Sequence, residues 1–262
     1  MKYPVTSVLA AACLAALSLS ADTALGKDSS APDCHEQWCF TVGFPMIWAP
    51  DIQGKIRGSE QIDFKIPFAD ILEDLDFGLM GEFYSQRGSF ALAIKTNYLS
   101  VHSKDKSPGP ISTQTDFDLK MGVNDLLASW RVTEKVALVA GLRHIFARMD
   151  LRFMTTVGGS KVLDEKFSLA DDDQFDFLAG VHYEHRWNER WSMEFSAESA
   201  IAGENDRDYS AELRGVYRVN HRNNLWMGYR YLNIGSDAIS DGKKTRMDML
   251  QQGPTIGWAF VF

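Results

Sequence analysis

Apolar and polar side chains alternate along most of the chain after residue 40. In the last eight residues, Ile256, Trp258, Phe260 and Phe262 alternate with smaller side chains. A period of two residues predicts a β-strand that has one apolar face. The pattern predicts ten strands, at Thr41–Ile56, Phe77–Gln86, Ser89–His102, Asp116–Val132, Val136–Phe153, Gln174–Arg186, Trp191–Ile201, Tyr209–Val219, Leu225–Ile234 and a last segment that ends at Phe262.

The connections between these strands are of two kinds. Short turns such as Arg87–Gly88 and Thr133–Lys135 alternate with longer polar loops. Gln61–Leu75 is predicted to be a connection that includes a short helix, and a change of phase near Gly122–Asp125 predicts a β-bulge. An even strand number places both ends of the sheet on one side, and eight or twelve strands are the alternatives to ten.

The closing segment resembles the terminal strand of bacterial outer-membrane β-barrel proteins, in which Thr255, Gly257, Phe260 and Phe262 would form the assembly signal. Further segments look like strand motifs of small, mostly uncharacterised barrels of this class. They are Met46–Ala49, Phe68–Phe77, Gly141–Arg143 and Gly228–Leu232. The resemblance implies an all-β fold, a transmembrane antiparallel up-and-down β-barrel of about ten strands with the apolar faces towards lipid.

The resemblance also implies a location and partners. The protein is expected in the outer membrane of a Gram-negative bacterium with both termini in the periplasm. Outer-membrane lipid and lipopolysaccharide would surround it, and periplasmic chaperones and the barrel assembly machinery would assist its insertion. The motifs imply no activity.

The first residues have the pattern of a secretory signal peptide. Lys2 precedes an apolar stretch from Val5 to Leu19, which is followed by small residues, and cleavage after Ser20 or Gly26 fits the pattern. The predicted organisation is a signal peptide over residues 1–26, a periplasmic segment over residues 27–40 and the barrel over residues 41–262.

Two cysteines, Cys34 and Cys39, follow the predicted signal peptide. An exported chain meets an oxidising compartment, so a disulfide between them is predicted. A metal site formed with His35 is the alternative, but it lacks a fourth ligand. No metal site and no cofactor is therefore predicted.

Composition excludes one class of partner. The formal net charge is −8 and no basic stripe is present, which argues against nucleic-acid binding. Aromatic residues make up 12% of the chain and include seven Trp, as the aromatic girdles of a barrel require.

Charged residues on the polar faces of the strands are predicted to lie in the lumen. They are Glu82, Lys95, Arg143, His182, Glu184, Glu194, Glu198, Glu212, Arg214, Arg218 and Arg230. Lipid excludes these side chains, so a lumen packed with ion pairs is the first interpretation. A narrow pore that selects small solutes is the alternative.

Other polar residues carry weaker hypotheses. Acidic residues in the predicted loops, which are Asp171, Asp172, Asp173, Glu204, Asp206 and Asp208, are interpreted as solvated charge. His102, His144 and the pair of His182 and Glu184 are the candidates for a hydrolase acting on lipid A or peptides. No familiar enzyme motif is present, so the sequence predicts a non-enzymatic barrel with a structural, interaction or minor transport role.

Overall fold

The structure is a computed structural model that describes residue 34 and residues 36–57, 61–106, 111–157, 160–203, 207–240 and 243–262. Its elements are β1 (Cys39–Trp48), β2 (Asp51–Arg57), β3 (Gln61–Ile66), α1 (Phe68–Glu73), β4 (Leu75–Arg87), β5 (Phe90–Lys106), β6 (Ile111–Arg131), β7 (Val136–Val157), β8 (Ser160–Arg186), β9 (Trp191–Gly203), β10 (Tyr209–Asn220), β11 (Asn223–Ser240) and β12 (Lys243–Val261). The predicted signal peptide lies outside the described residues. Among the described residues, no helix has both the length and the apolar character needed to cross a membrane.

The strands form a closed antiparallel barrel with ten strand positions. From β4 to β12 each strand pairs with the next along the chain, and β1 closes the barrel by pairing with both β4 and β12. β2 continues β1 along β12, so these two strands share one position. β3 pairs with β2. The prediction of an all-β, ten-stranded barrel is confirmed.

Several predicted boundaries are wrong. The first predicted strand is broken at Ala49–Pro50, and the predicted connection from Gln61 to Leu75 contains the unpredicted strand β3. The short helix predicted in that connection is confirmed as α1. The predicted polar loop between Phe153 and Gln174 is largely strand, because β7 and β8 pair as far as Val157 and Ser160.

The bulge predicted near Gly122–Asp125 is also wrong, because β6 keeps one register with both neighbours throughout. The phase change has another cause. Met121 and Val123 are buried inside the barrel, whereas in the other half of the same strand Leu126 is apolar and 50% exposed on the outside. The apolar side chains of β6 therefore face the lumen in one half of the strand and the outside in the other half, and the strand contains no extra residue.

The two ends of the barrel differ, and we name them for their connections. At the turn end, residues 88–89, 132–135, 187–190 and 221–222 join neighbouring strands. β1 begins and β12 finishes at this end, where Phe40 and Phe262 exchange backbone hydrogen bonds. The opposite end, which we call the extended end, contains α1 and the tip of the β7–β8 hairpin.

The small residues on the inward face of β12 make room for bulkier groups. A Cβ atom at Gly257 would collide with the ring of Trp226, and one at Gly253 would collide with the carbonyl oxygen of Ala49. The closing strand thus accommodates both a lumen aromatic ring and the break between β1 and β2.

Candidate functional site: two ion-pair clusters beneath an apolar plug

A buried arginine on β7 is the centre of the first lumen cluster. Arg143 Nε and Nη2 donate to the two carboxylate oxygens of Asp125 at 2.7 and 3.1 Å, and Nη1 donates to Asp208 at 2.8 Å. Arg143 Nη2 also donates to Ser210 at 2.9 Å, and that hydroxyl donates to Glu198 at 2.7 Å. We call Asp125, Arg143, Glu198, Asp208, Ser210 and Arg230 the Arg143 cluster.

The Arg143 cluster spans the lumen. β6 and β7 supply Asp125 and Arg143, whereas Asp208 directly precedes β10 and Arg230 lies on β11. Arg230 Nη2 is 3.9 Å from Asp125 Oδ2, from the opposite side of the barrel. Arg143 is 1% exposed and Asp208 is 0% exposed, so this level of the lumen is filled by paired charges.

A second arginine bridges the lumen nearer the turn end. Arg214 on β10 donates to both carboxylate oxygens of Glu82 on β4 at 3.0 and 2.9 Å. Its Nε lies 2.8 Å from Glu212, and its guanidinium stands over the ring of Trp226 at 4.2 Å. A bidentate pair fixes orientation as well as charge. We call Glu82, Glu212 and Arg214 the Arg214 cluster.

A cavity of about 240 Å³ lies beside the Arg214 cluster towards the turn end. Lys95, His182, Glu184 and Glu194 line it together with turn-end residues such as Lys135. Arg218 lies on the same face as Arg214, four residues after it, and closer to the turn. With the two clusters, these positions account for all the charged residues predicted to lie in the lumen.

An apolar layer covers the Arg143 cluster on its extended side. We call it the apolar plug, and its members are Trp48, Ile52, Ile71, Val101, Leu119, Met121, Val123, Ile145, Ala147, Leu232, Ile234 and Met249. One contact between the apolar plug and the charges is made by Trp48, whose ring lies 5.0 Å from the Arg230 guanidinium. Burying apolar side chains inside the barrel here stabilises the part where the outer surface is polar.

Two acidic residues of the Arg143 cluster were missed from the sequence, as was Ser210. Asp208 was interpreted as solvated loop charge, which is wrong because it is fully buried against Arg143. Asp125 was assigned to the supposed bulge. The signal was present for Asp208, which lies four residues before Glu212, a predicted inward position. Asp125 lies four residues before Ser129, which lines the lumen cavity.

The histidines fall on different surfaces. His102 Nδ1 lies 3.7 Å from Asp118, and His144 contacts Asp173 and stacks on Phe175 at 4.5 Å. These two pairs lie on the outer face of the wall, since their neighbours in sequence face the lumen. His182 alone of the three candidate histidines lines the lumen cavity.

The remaining predicted sites are placed as follows. Cys34 and Cys39 form a disulfide. Thr255 is buried and faces the lumen, whereas Phe260 and Phe262 are 41% and 46% exposed on the outside. Their role as an assembly signal stays a prediction. Glu204 and Asp206 lie outside the described residues.

Comparison of the fold with solved structures gives outer-membrane barrels. The outer membrane protease OmpT from Escherichia coli matches with a TM-score of 0.52 and 10% identity over 86% of this chain and 96% of that one. The translocator domain of the autotransporter NalP from Neisseria meningitidis matches with a TM-score of 0.39 and 11% identity over 97% of each chain. The likeness to OmpT shows that the chain has the outer-membrane β-barrel fold.

At the level of sequence, no protein-family model matches the chain and no curated protein matches it. The likeness to OmpT is therefore one of architecture, and the lumen clusters carry the argument about function.

Proposed function

We propose that the protein is an outer-membrane β-barrel whose lumen is sealed, and that it serves the membrane as a structural or interaction protein. The observation that carries this proposal is the Arg143 cluster. Its cross-lumen pairs occupy one level of the barrel, and the apolar plug covers them. Small barrels are filled by side chains in this way, whereas open aqueous channels are found in wider barrels.

The location and orientation are part of the proposal. The barrel fold supports an outer-membrane location, with the turn end in the periplasm and the extended end outside. Barrels of this type have short periplasmic turns and longer external connections. Both termini of the barrel would then be periplasmic, and lipopolysaccharide would surround the outer part of the wall.

Planar-bilayer recording tests the sealed lumen. The folded full-length protein, identified by heat-modifiable gel migration, should insert without discrete conductance steps, because no water-filled path crosses two layers of packed side chains. Discrete steps from the wild-type protein would contradict the proposal.

Those steps would instead favour a small-solute channel. The observation behind this second candidate is the cavity of about 240 Å³, which places Lys95, His182 and Glu194 at the turn end. Such a channel would have to displace the Arg143 cluster, so its conductance should increase when Arg143→Ala removes the central cation. An unchanged conductance in that variant would contradict a path through the cluster.

A further inference from the structure

The barrel wall has a seam between β1 and β4. These strands pair only through Cys39–Gly43 and Glu82–Gln86. The register of β1 then shifts between Gly43 and Met46, where Pro45 lacks the N–H group that a ladder needs. Beyond this point β1 and β2 follow β12, whereas the first half of β4 follows β5.

The wall seam, between Pro45–Trp48 and Leu75–Gly81, is apolar on its outer side. Ile47, Phe77 and Leu79 are 58%, 54% and 40% exposed. In the proposed orientation these side chains lie towards the outer leaflet, because Leu75–Gly81 is the half of β4 nearer the extended end. The ring of Phe77 contacts that of Tyr98 on β5. Lipid rather than water would therefore lie against the seam.

A glycine leaves space within the seam. Gly78 is exposed, although Leu99, its register partner on β5, packs against the apolar plug. A Cβ atom at Gly78 would find no atom nearer than the Leu75 methyl groups at 3.8 Å. At Gly78 the wall therefore lacks a side chain, and the interior behind this position is apolar.

Helix α1 closes the seam towards the extended end. Its first residue, Phe68, donates its backbone N–H to Asp51 Oδ1 at 3.0 Å, and His102 N donates to Asp74 O at 3.0 Å just after the helix. Ile71 is 2% exposed within the apolar plug, whereas Leu72 beside it is 58% exposed. One face of helix α1 therefore packs in the apolar interior, and another face is exposed on the surface.

A second cavity, of about 270 Å³, lies under α1. Ile66, Ile71, Val101 and Leu119 form most of its lining, and Asp70, Asp74 and Ser103 complete it. A wholly apolar cavity of ~150 Å³ binds benzene. This one, of about 270 Å³, has room for a larger molecule.

We propose that the cavity under α1 binds a small, uncharged, mostly aromatic or aliphatic molecule that enters from the lipid through the wall seam. Burial of apolar surface supplies the affinity, and the oxygen atoms of Asp74 and Ser103 accept a hydrogen bond from an O–H or N–H group on the ligand. This inference rests on the proposed outer-membrane placement. It goes beyond the sealed lumen, since the apolar plug separates this cavity from the charged clusters.

Photolabelling tests the site. The full-length protein in lipid vesicles is irradiated with 3-trifluoromethyl-3-phenyldiazirine, and the labelled residues are mapped by mass spectrometry. Label is expected on Ile71, Val101 and Leu119, and excess naphthalene should remove it while leaving label on the lipid-facing wall. Label confined to the lipid-facing wall, or label at these three residues that naphthalene does not reduce, would overturn the proposal.

Two filling variants and a matched control separate the site from its entrance. Ser103→Phe should abolish the interior label by filling the cavity, and Gly78→Leu should abolish it by blocking the seam. Gly215→Leu is the control, because a Cβ atom there also meets nothing nearer than 3.9 Å but lies on the opposite side of the barrel, on the outer face. Unchanged interior label in Gly78→Leu would overturn entry through the seam.

The same samples distinguish the two proposals. Protein that does not insert into the vesicles or show heat-modifiable migration would overturn the outer-membrane placement, and the ligand site with it. Inserted, folded protein without interior label would overturn the ligand site alone.

Discussion

Arg143 shows how one side chain sets the character of the lumen. Its guanidinium uses three nitrogen atoms to donate hydrogen bonds to Asp125, Asp208 and Ser210, all of which are buried. A buried ion pair is not strongly stabilising compared with apolar packing, but the loss of one partner leaves unpaired charge in a medium that cannot solvate it. Removing Arg143 would therefore cost more free energy than its ion pairs contribute, because Asp125 and Asp208 would stay buried without a cation.

Arg143→Ala is expected to destabilise the barrel by about 3–5 kcal/mol, because Asp125 and Asp208 would stay buried without their cation. Urea unfolding of the protein in lipid vesicles measures the change. Arg186→Ala is the matched control, since Arg186 is 56% exposed and pairs with Glu184 near the turn end. Surface substitutions usually change stability by about 0.5 kcal/mol or less. Equal effects of the two variants would contradict a special role for Arg143.

At the scale of the element, β6 shows a reversal of polarity along a single strand. Towards the extended end its inward residues are apolar and Lys120 is exposed outside, whereas towards the turn end Asp125 is inward and Leu126 outward. The first arrangement suits a wall in water, and the second suits a wall in lipid. In the proposed outer-membrane placement, the edge of the lipid would therefore lie between Lys120 and Leu126.

Leu126→Arg tests that boundary. A cation on the lipid-facing side costs ~2–4 kcal/mol at the centre of the bilayer and less towards its edge, so this variant should unfold at lower urea concentration when it is embedded in vesicles. Lys120→Leu is the companion substitution on the same strand and face, and it should leave the stability nearly unchanged if Lys120 lies beyond the lipid. A larger loss for Lys120→Leu than for Leu126→Arg would refute the assignment.

This reversal explains what could be predicted from the sequence and what could not. Alternation finds the strands and their direction, because lipid and lumen impose opposite chemistry on neighbouring residues. It fails at Gly122–Asp125, where the two environments change places and a bulge is wrongly predicted. The same error conceals Asp125, which becomes an obvious lumen residue once the strand is taken as continuous.

At the scale of the whole molecule, closure depends on strands that are far apart in the sequence. β1 pairs with β12, and Phe40 and Phe262 join their ends by two backbone hydrogen bonds of 3.2 and 2.8 Å. An up-and-down count of ten strands and a common side for both termini could be predicted from turn spacing. The wall seam could not, because it depends on where β1 leaves β4, and this non-local pairing has no period in the sequence.

The proposed orientation predicts which surface is accessible in intact cells. Glu73→Cys, on α1 at the extended end, should react with a membrane-impermeant maleimide, whereas Glu189→Cys, in the turn between β8 and β9, should react only after the outer membrane is permeabilised. Both native side chains are exposed. Gel detection of the coupled label measures the difference, and the reverse pattern would invert the orientation.

The unequal strand lengths also determine the approach of large molecules to the barrel. β8 has 27 residues, so at ~3.3 Å per residue and a tilt of ~45° it rises to about 60 Å, against an apolar band of ~25 Å. β9 stops at Gly203, level with Asp176 on β8, which leaves the rim low over β9 and β10. The tall β7–β8 and β11–β12 hairpins flank this notch. If the extended end faces outwards, as proposed, an antibody or a phage fibre would touch the hairpins first, and only a slender probe would reach the barrel between them.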